Sequence, residues 1–133
     1  MSANTVAVIR ALYDAFAAGD IPAALGAMSP GIVWNEANNF PYADGNPYIG
    51  PQAVLEGVFA RCSSEWDSFG VEVDELIDGG DTVVALGHYT GTFKATGRPQ
   101  RTQMAHVWRL KDGKAQAFQQ YADTLHVAQV TSD

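Results

Sequence analysis

The sequence contains only one cysteine, Cys62, so it can form no internal disulfide and no CxxC zinc site. It also lacks any apolar run approaching the roughly 20 residues that span a bilayer. Residues 1–10 have neither the basic start nor the apolar core of a secretion signal. We therefore expect a cytoplasmic protein with no membrane partner.

Positive charge is scarce, because 8 Lys and Arg stand against 15 Asp and Glu, for a formal net charge of −7. This excess repels phosphate backbones and anionic lipids, which argues against nucleic acid as a partner. Internal repeats and low-complexity segments are absent too, and a chain of 133 residues can bury one hydrophobic core. We expect a single domain over residues 1–133.

Helical periodicity dominates the start of the chain. Val6, Ile9, Tyr13 and Phe16 recur at the spacing of one helix face, and Gly19 occupies a typical C-cap position. This pattern predicts a first amphipathic helix.

Two more helices are predicted before residue 66. Asp20 is suited to cap a short second helix in which Met28 faces inward and which ends near residues 29–31. Gly50 and Pro51 then open a third helix that extends to Cys62.

The periodicity changes from helical to alternating after Trp66, which indicates strands. The clearest hairpin signal is the turn at residues 111–114, with the sequence KDGK. The predicted strands are residues 32–36, 71–77, 82–94, 102–110 and 115–124, and residues 38–50 form a loop whose length is typical of a lid.

Helices followed by hairpin-linked strands predict an α+β fold, in which three helices and a strongly curved, mainly antiparallel sheet enclose an apolar pocket. The strands between residues 82 and 124 are apolar on both faces. Since the outer face also needs to be covered, we expect a homodimer.

The chain carries five short motifs in order: YDAFAAGDI at 13–21, IVW at 32–34, IGP at 49–51, HVWRL at 106–110 and DGK at 112–114. Together they resemble the SnoaL-like branch of the nuclear transport factor-like superfamily, which includes ketosteroid isomerase and limonene epoxide hydrolase. The resemblance implies a cone-shaped, commonly dimeric fold with a deep apolar pocket. It implies no single reaction, because the fold hosts several.

Glu36 corresponds, in this resemblance, to the general base of ketosteroid isomerase. A carboxylate at the end of an apolar strand beside a pocket has its charged form desolvated, which raises its pKa towards the range useful for a base. The alternative is that Glu36 is a solvated residue at the mouth of the 38–50 loop.

His106 lies in an otherwise apolar strand and takes, in the same resemblance, the place of a protonated oxyanion-hole aspartate. A neutral histidine can donate the same hydrogen bond to an enolate or a bound carbonyl. The alternative is a buried histidine satisfied by the backbone or by Gln120.

The resemblance also has departures. Gln120 replaces the catalytic aspartate of epoxide hydrolases and SnoaL-like cyclases, and an amide cannot act as a general base. Asp123 is expected to cap the terminal segment at 124–130, with a pocket role as the lower-ranked alternative. The oxyanion-hole tyrosine of the isomerase corresponds to Leu12, with Tyr13 turned about 100° away.

Two functions fit these residues. The first is an enzyme that isomerises, dehydrates or cyclises a small apolar carbonyl compound, with Glu36 moving a proton while His106 and Gln120 hold the oxygen. The second is a non-catalytic ligand-binding or dimeric assembly module.

The pocket is expected to have a volume of roughly 300–1,000 Å³. No metal or cofactor is expected, because the sequence has no zinc, Walker or dinucleotide-binding motif. The predicted substrate-binding wall consists, besides Gln120, of Trp34, Tyr89, Phe93, Met104, Trp108 and Phe118.

Overall fold

A computed structural model describes residues 2–132 of the chain. The helices are α1 (Ser2–Ala17), α2 (Ile21–Gly26), α3 (Pro51–Val54), α4 (Ala60–Glu65) and α5 (Thr124–Thr131). A π-helical segment (Leu55–Phe59) joins α3 to α4 without a break, and a short 3-10 helix covers Pro41–Gly45. None of the helices in residues 2–132 is long and apolar enough to cross a membrane.

The strands are β1 (Met28–Asn35), β2 (Tyr48–Ile49), β3 (Trp66–Gly79), β4 (Thr82–Phe93), β5 (Pro99–Lys111) and β6 (Lys114–Ala122). They form one sheet in the order β2-β1-β6-β5-β4-β3. Within the described part of the chain, β1 with β6 is the only parallel pair. The predicted α+β fold with a mainly antiparallel sheet is therefore confirmed.

Local turn chemistry sets the β5–β6 hairpin. Asp112 and Gly113 both have positive φ, 53° and 76°, as the central residues of a type I′ turn require. Such a turn matches the twist of the flanking strands, so Lys111 pairs directly with Lys114. Register shifts within the β3–β4 pair mark irregularities that bend the sheet around its inner face.

The second helix ends earlier than predicted, at Gly26 instead of near residues 29–31. Asp20 caps it as expected, because its side chain accepts a hydrogen bond from the Ala23 N–H at 3.2 Å. Met28 is already the first residue of β1 and pairs with Ala115 of β6. Pairing with this distant strand overrides the helical pattern.

The sequence also predicts a lid at residues 38–50 and a helix cap at Asp123. Residues 38–50 fold into the 3-10 helix and β2, and Tyr42 from this segment is only 2% exposed. Tyr42 thus anchors this segment to the core, while Asn39, Asp44 and Ile49 remain exposed. Asp123 caps α5, accepting from the His126 N–H at 3.2 Å, which confirms its predicted capping role.

Candidate functional site

A small apolar cavity lies between the inner face of the sheet, α1 and the π-helical segment. Its volume is about 50 Å³, well below the expected volume, because aromatic rings occupy most of the inside of the cone. Trp34 and Phe118 stack with ring centroids 3.7 Å apart, and Trp108 packs against both. The residues predicted for the pocket that do line the cavity are Trp34, Glu36, Tyr89, His106, Trp108, Phe118 and Gln120.

Two residues predicted for the wall lie outside it. Phe93, at the end of β4, packs its ring on Trp66 with centroids 4.9 Å apart. Met104 is buried on the inner face of β5, where it pairs with Gly87 and Ala122, but it is not part of the cavity wall. Alternation along a strand predicts which face of the sheet a side chain lies on, but not whether its position along the strand is next to the cavity.

Helical segments contribute residues to the cavity wall that were not predicted from the sequence. Tyr13 and Phe16 of α1 line the cavity, as do Phe40 from the 38–50 segment and Phe59 from the π-helical segment. The helical spacing of Tyr13 and Phe16 was the signal that could have found two of them. Tyr13 is not turned away as the resemblance suggested, because Leu12 and Tyr13 both reach the cavity.

A larger cavity of about 490 Å³ adjoins the first. The two share a wall formed by Phe16, Phe59, Cys62 and Phe69. Phe16 and Phe59 meet edge to face with centroids 5.1 Å apart. Three aromatic rings and a thiol therefore separate the small inner cavity from the outer one.

Glu36 is the carboxylate of the inner cavity and is only 3% exposed. Its Oε2 accepts a hydrogen bond from Trp34 Nε1–H at 3.0 Å. Within residues 2–132 no hydrogen-bond donor is assigned to the other oxygen, Oε1. The backbone of Glu36 is fixed by Asn46. The Asn46 side chain accepts a hydrogen bond from the Glu36 N–H at 2.9 Å and donates one to the Glu36 carbonyl at 2.8 Å.

This environment changes the acidity of Glu36. Burial raises the pKa of the carboxyl from 4.5 to about 7, while the Trp34 N–H and the positive charge of Arg61 act in the opposite direction. Near neutral pH the group therefore exists in both protonation states. Such a carboxyl can accept a proton and return it.

His106 lies between two tyrosines. Its Nδ1 is 2.6 Å from Tyr13 Oη, and its Nε2 is 2.5 Å from Tyr89 Oη. Burial lowers the pKa of the imidazole from 6.5 to about 3, so the ring is neutral. Since phenols occupy both ring nitrogens, His106 cannot itself donate to a ligand as predicted. We refer to Tyr13, His106 and Tyr89 as the phenol–imidazole chain.

Two fixed donors hold the ends of the phenol–imidazole chain. Trp108 Nε1–H donates to Tyr13 Oη at 2.9 Å, and Gln120 Nε2–H donates to Tyr89 Oη at 2.7 Å. Gln120 Oε1 accepts from the Ala37 N–H at 3.0 Å, which fixes the orientation of the amide. Gln120 thus positions a phenol, where the sequence suggested direct contact with the substrate oxygen. Burial raises the pKa of both tyrosines, so they remain phenols.

A possible metal-binding group lies elsewhere. Glu72, Asp74 and His88 have ligand atoms within 4.8 Å of one another, at partly or fully exposed positions on β3 and β4. His88 Nδ1 already lies within hydrogen-bonding distance, 3.2 Å, of Asp74 Oδ2. None of these three residues lines the inner cavity, so this group has no part in the site.

Comparison with known proteins places this geometry in context. The SnoaL-like domain family model matches residues 9–118. Patulin synthesis protein F from Aspergillus clavatus is 30% identical over 89 residues, which are 66% of this chain. The match spans only 44% of the length of that relative.

Solved structures give the same fold. An NTF2-like protein from Burkholderia thailandensis is 36% identical, with a TM-score of 0.92 over 97% of this chain and 98% of that one. TerC, co-crystallised with polyporic acid, is 24% identical, with a TM-score of 0.85 over 96% of this chain and 97% of that one. The second likeness concerns the fold alone. With a family model that covers most of its length and a cone-shaped sheet around an apolar cavity, the chain belongs to the SnoaL-like domain family.

Proposed function

We propose that the protein catalyses proton transfer on a small, largely apolar carbonyl compound, with Glu36 as the general base. The observation that carries this proposal is the buried carboxyl beside an apolar cavity, with a pKa of about 7 and an Oε1 that accepts no hydrogen bond from residues 2–132. A carboxylate of this kind titrates near the working pH, where a general base is most effective. The phenol–imidazole chain, which lines the same cavity, supplies the hydrogen-bond donor that an enolate needs.

The proposed reaction begins when ionised Glu36 takes a proton from the carbon next to the carbonyl group. The electron pair of that C–H bond moves into the carbonyl, and the oxygen becomes an enolate held by a phenol hydroxyl. The resulting carboxylic acid then returns its proton. Return to a different carbon gives isomerisation, and transfer to a departing hydroxyl group gives dehydration.

The size of the inner cavity limits what reacts there. A cavity of about 50 Å³ holds only a few atoms, since one water molecule needs at least about 10–15 Å³. We propose that the carbonyl end of the substrate enters the inner cavity while the remainder passes between the shared wall residues Phe16, Phe59 and Phe69 into the adjoining outer cavity. The name of one similar protein, patulin synthesis protein F, supports a small metabolite as the substrate.

The proposal can be tested without the natural substrate. General-base catalysis should exchange the protons next to the carbonyl of small ketones for deuterium in D2O, which ¹H NMR follows as loss of signal. Glu36→Gln should slow this exchange at least about 100-fold, the lower end for loss of a general base. Glu75→Gln, at an exposed position on β3, is the matched control and should leave the rate unchanged.

The pH dependence gives a second readout. Because the carboxylate is the active form, the rate should rise as pH increases through about 7 and level off above it. Equal exchange by the wild type and Glu36→Gln would show that Glu36 is not the base. Ketones that bind without any enzyme-dependent exchange would favour the alternative, a non-catalytic ligand-binding module.

A further inference from the structure

The phenol–imidazole chain carries more O–H and N–H hydrogens than it has internal hydrogen bonds. A neutral imidazole carries one N–H and each phenol carries one O–H, so three protons are available for the two contacts that join Tyr13, His106 and Tyr89. Trp108 and Gln120 cannot take the third proton, because they meet the phenols through N–H groups that only donate. Whichever tautomer His106 adopts, one phenol hydroxyl is left without an acceptor in the chain.

The tautomer of His106 decides which phenol this is. If Nδ1 carries the hydrogen, it donates to Tyr13, Tyr89 donates to Nε2, and the hydroxyl of Tyr13 is free. If Nε2 carries the hydrogen, it donates to Tyr89, Tyr13 donates to Nδ1, and the hydroxyl of Tyr89 is free. Both phenols line the inner cavity, so the free hydroxyl is available to a ligand there.

We propose that Tyr89 supplies the single hydroxyl proton that the cavity can donate to a bound oxygen, with His106 in the Nε2–H tautomer. The relevance of this hydroxyl to catalysis rests on the proposed function, but the tautomer of His106 can be tested without enzymatic turnover.

Geometry favours Tyr89 over Tyr13. The side chain of Gln120 connects Tyr89 Oη, at 2.7 Å, to the backbone N–H of Ala37, at 3.0 Å. Ala37 directly follows Glu36 in the chain, so Tyr89 lies on the side of the cavity that carries the carboxyl. Tyr13 is joined to Trp108 instead.

The charge of Glu36 acts in the same direction. The carboxylate raises the pKa of Tyr89 by its Coulomb field, second only to burial, whereas burial and Trp108 account for the pKa of Tyr13. A negative charge on one side of the cavity stabilises an O–H dipole whose hydrogen points towards it. The ionised base thus favours the tautomer in which the Tyr89 hydroxyl turns into the cavity.

This arrangement selects the ligand by its polar groups. One donor hydroxyl and one carboxylate suit a neutral molecule with a single carbonyl oxygen. A ligand carboxylate would be repelled by ionised Glu36, and a second polar group in the inner cavity would be buried among aromatic rings without a partner. We therefore expect neutral monocarbonyl compounds to bind and carboxylates of the same shape to be rejected.

The tautomer can be measured on the 133-residue chain labelled with ¹⁵N in its histidines. The chain has three histidines, and His88→Gln and His126→Gln, both away from the cavity, identify the His106 signals by elimination. At pH 8, where Glu36 is ionised, we expect Nε2 to resonate as a protonated nitrogen and Nδ1 as an unprotonated one. The opposite pattern would overturn the assignment and make Tyr13 the donor, and an imidazolium pattern would overturn the proton count.

A pair of probes of matched shape tests the ligand class. Acetone and acetate at equal concentration differ mainly in charge, and only acetone should shift the ¹⁵N signals of His106. Shifts caused by acetate, or by neither probe, would overturn the predicted selectivity. A Glu36→Gln variant that keeps full exchange activity would refute the proposed function while leaving the tautomer result intact, so the two failures are distinguishable.

Discussion

Replacing Glu36 with glutamine should stabilise the protein, and the gain should depend on pH. The carboxyl is 3% exposed, and burial raises its pKa from 4.5 to about 7. A group with a higher pKa in the folded state binds its proton more tightly there. Its stabilising contribution is therefore complete below about pH 4.5 and is lost as pH rises through about 7.

The magnitude follows from the size of this change. A difference of about 2.5 pKa units corresponds to roughly 3 kcal/mol of unfolding free energy at pH values above 7. Glutamine is nearly isosteric with the protonated carboxyl, can still accept from Trp34 Nε1–H, and does not titrate. Glu36→Gln should thus match the wild type at pH 4.5 and exceed its stability by about 3 kcal/mol at pH 8.

Urea unfolding of both proteins between pH 4 and 9, followed by tryptophan fluorescence, measures this difference. The buried imidazole of His106, with its pKa lowered to about 3, makes both proteins less stable as pH falls below about 6.5, so it cancels in the difference. Glu75→Gln, at an exposed position on β3, is the control for the same substitution outside the cavity. A difference between Glu36→Gln and wild type that stays flat with pH, or that grows towards acid, would refute the burial argument.

Two further predictions concern packing. Gly57→Ala should destabilise the protein by roughly 1–3 kcal/mol, measured as a lower melting temperature, because its Cβ would lie 2.1 Å from Tyr48 Cε1. Gly26→Ala, with no atom within 4 Å, should be tolerated. We also propose that the outer face of the sheet, which carries half-buried Val84 and the 57% exposed Tyr121, pairs two copies of the chain. Sedimentation should then give a dimer at micromolar concentration, and Tyr121→Glu should yield monomer; a monomeric wild type would contradict the proposal.

Turns and helix caps were predicted well from the sequence because each depends on residues only a few positions apart. The hairpin at Asp112 and Gly113 depends on the backbone conformations of two residues, and the cap at Asp123 depends on a hydrogen bond three residues away. The start of β1 at Met28 depends instead on Ala115, far along the chain. The residues next to Met28 in the sequence therefore do not predict this pairing.

The site was predicted less completely for the same reason. Its strand residues could be placed by parity, and Glu36 by resemblance, but the role of His106 depends on what meets its two nitrogens. The spacing of α1 put Tyr13 on the buried face, whereas the resemblance turned it away, and the structure agrees with the spacing. Asn46 gave no signal, since an asparagine in a loop is ordinary until its partner, the backbone of Glu36, is known.

The parallel pairing of β1 with β6 has a consequence for folding. Ala37 and Gln120, which are hydrogen-bonded in the site, lie 83 residues apart in sequence, and Tyr13 and His106 lie 93 apart. Closing such long loops costs entropy that no local segment can offset, so the cavity forms only when both ends of the chain have come together. The Ala37 N–H should accordingly exchange with solvent only through global unfolding. A ligand bound in the cavity then stabilises the entire domain by mass action, by about 2.7 kcal/mol at 100 times its Kd, and a thermal shift of the whole chain becomes a direct screen for it.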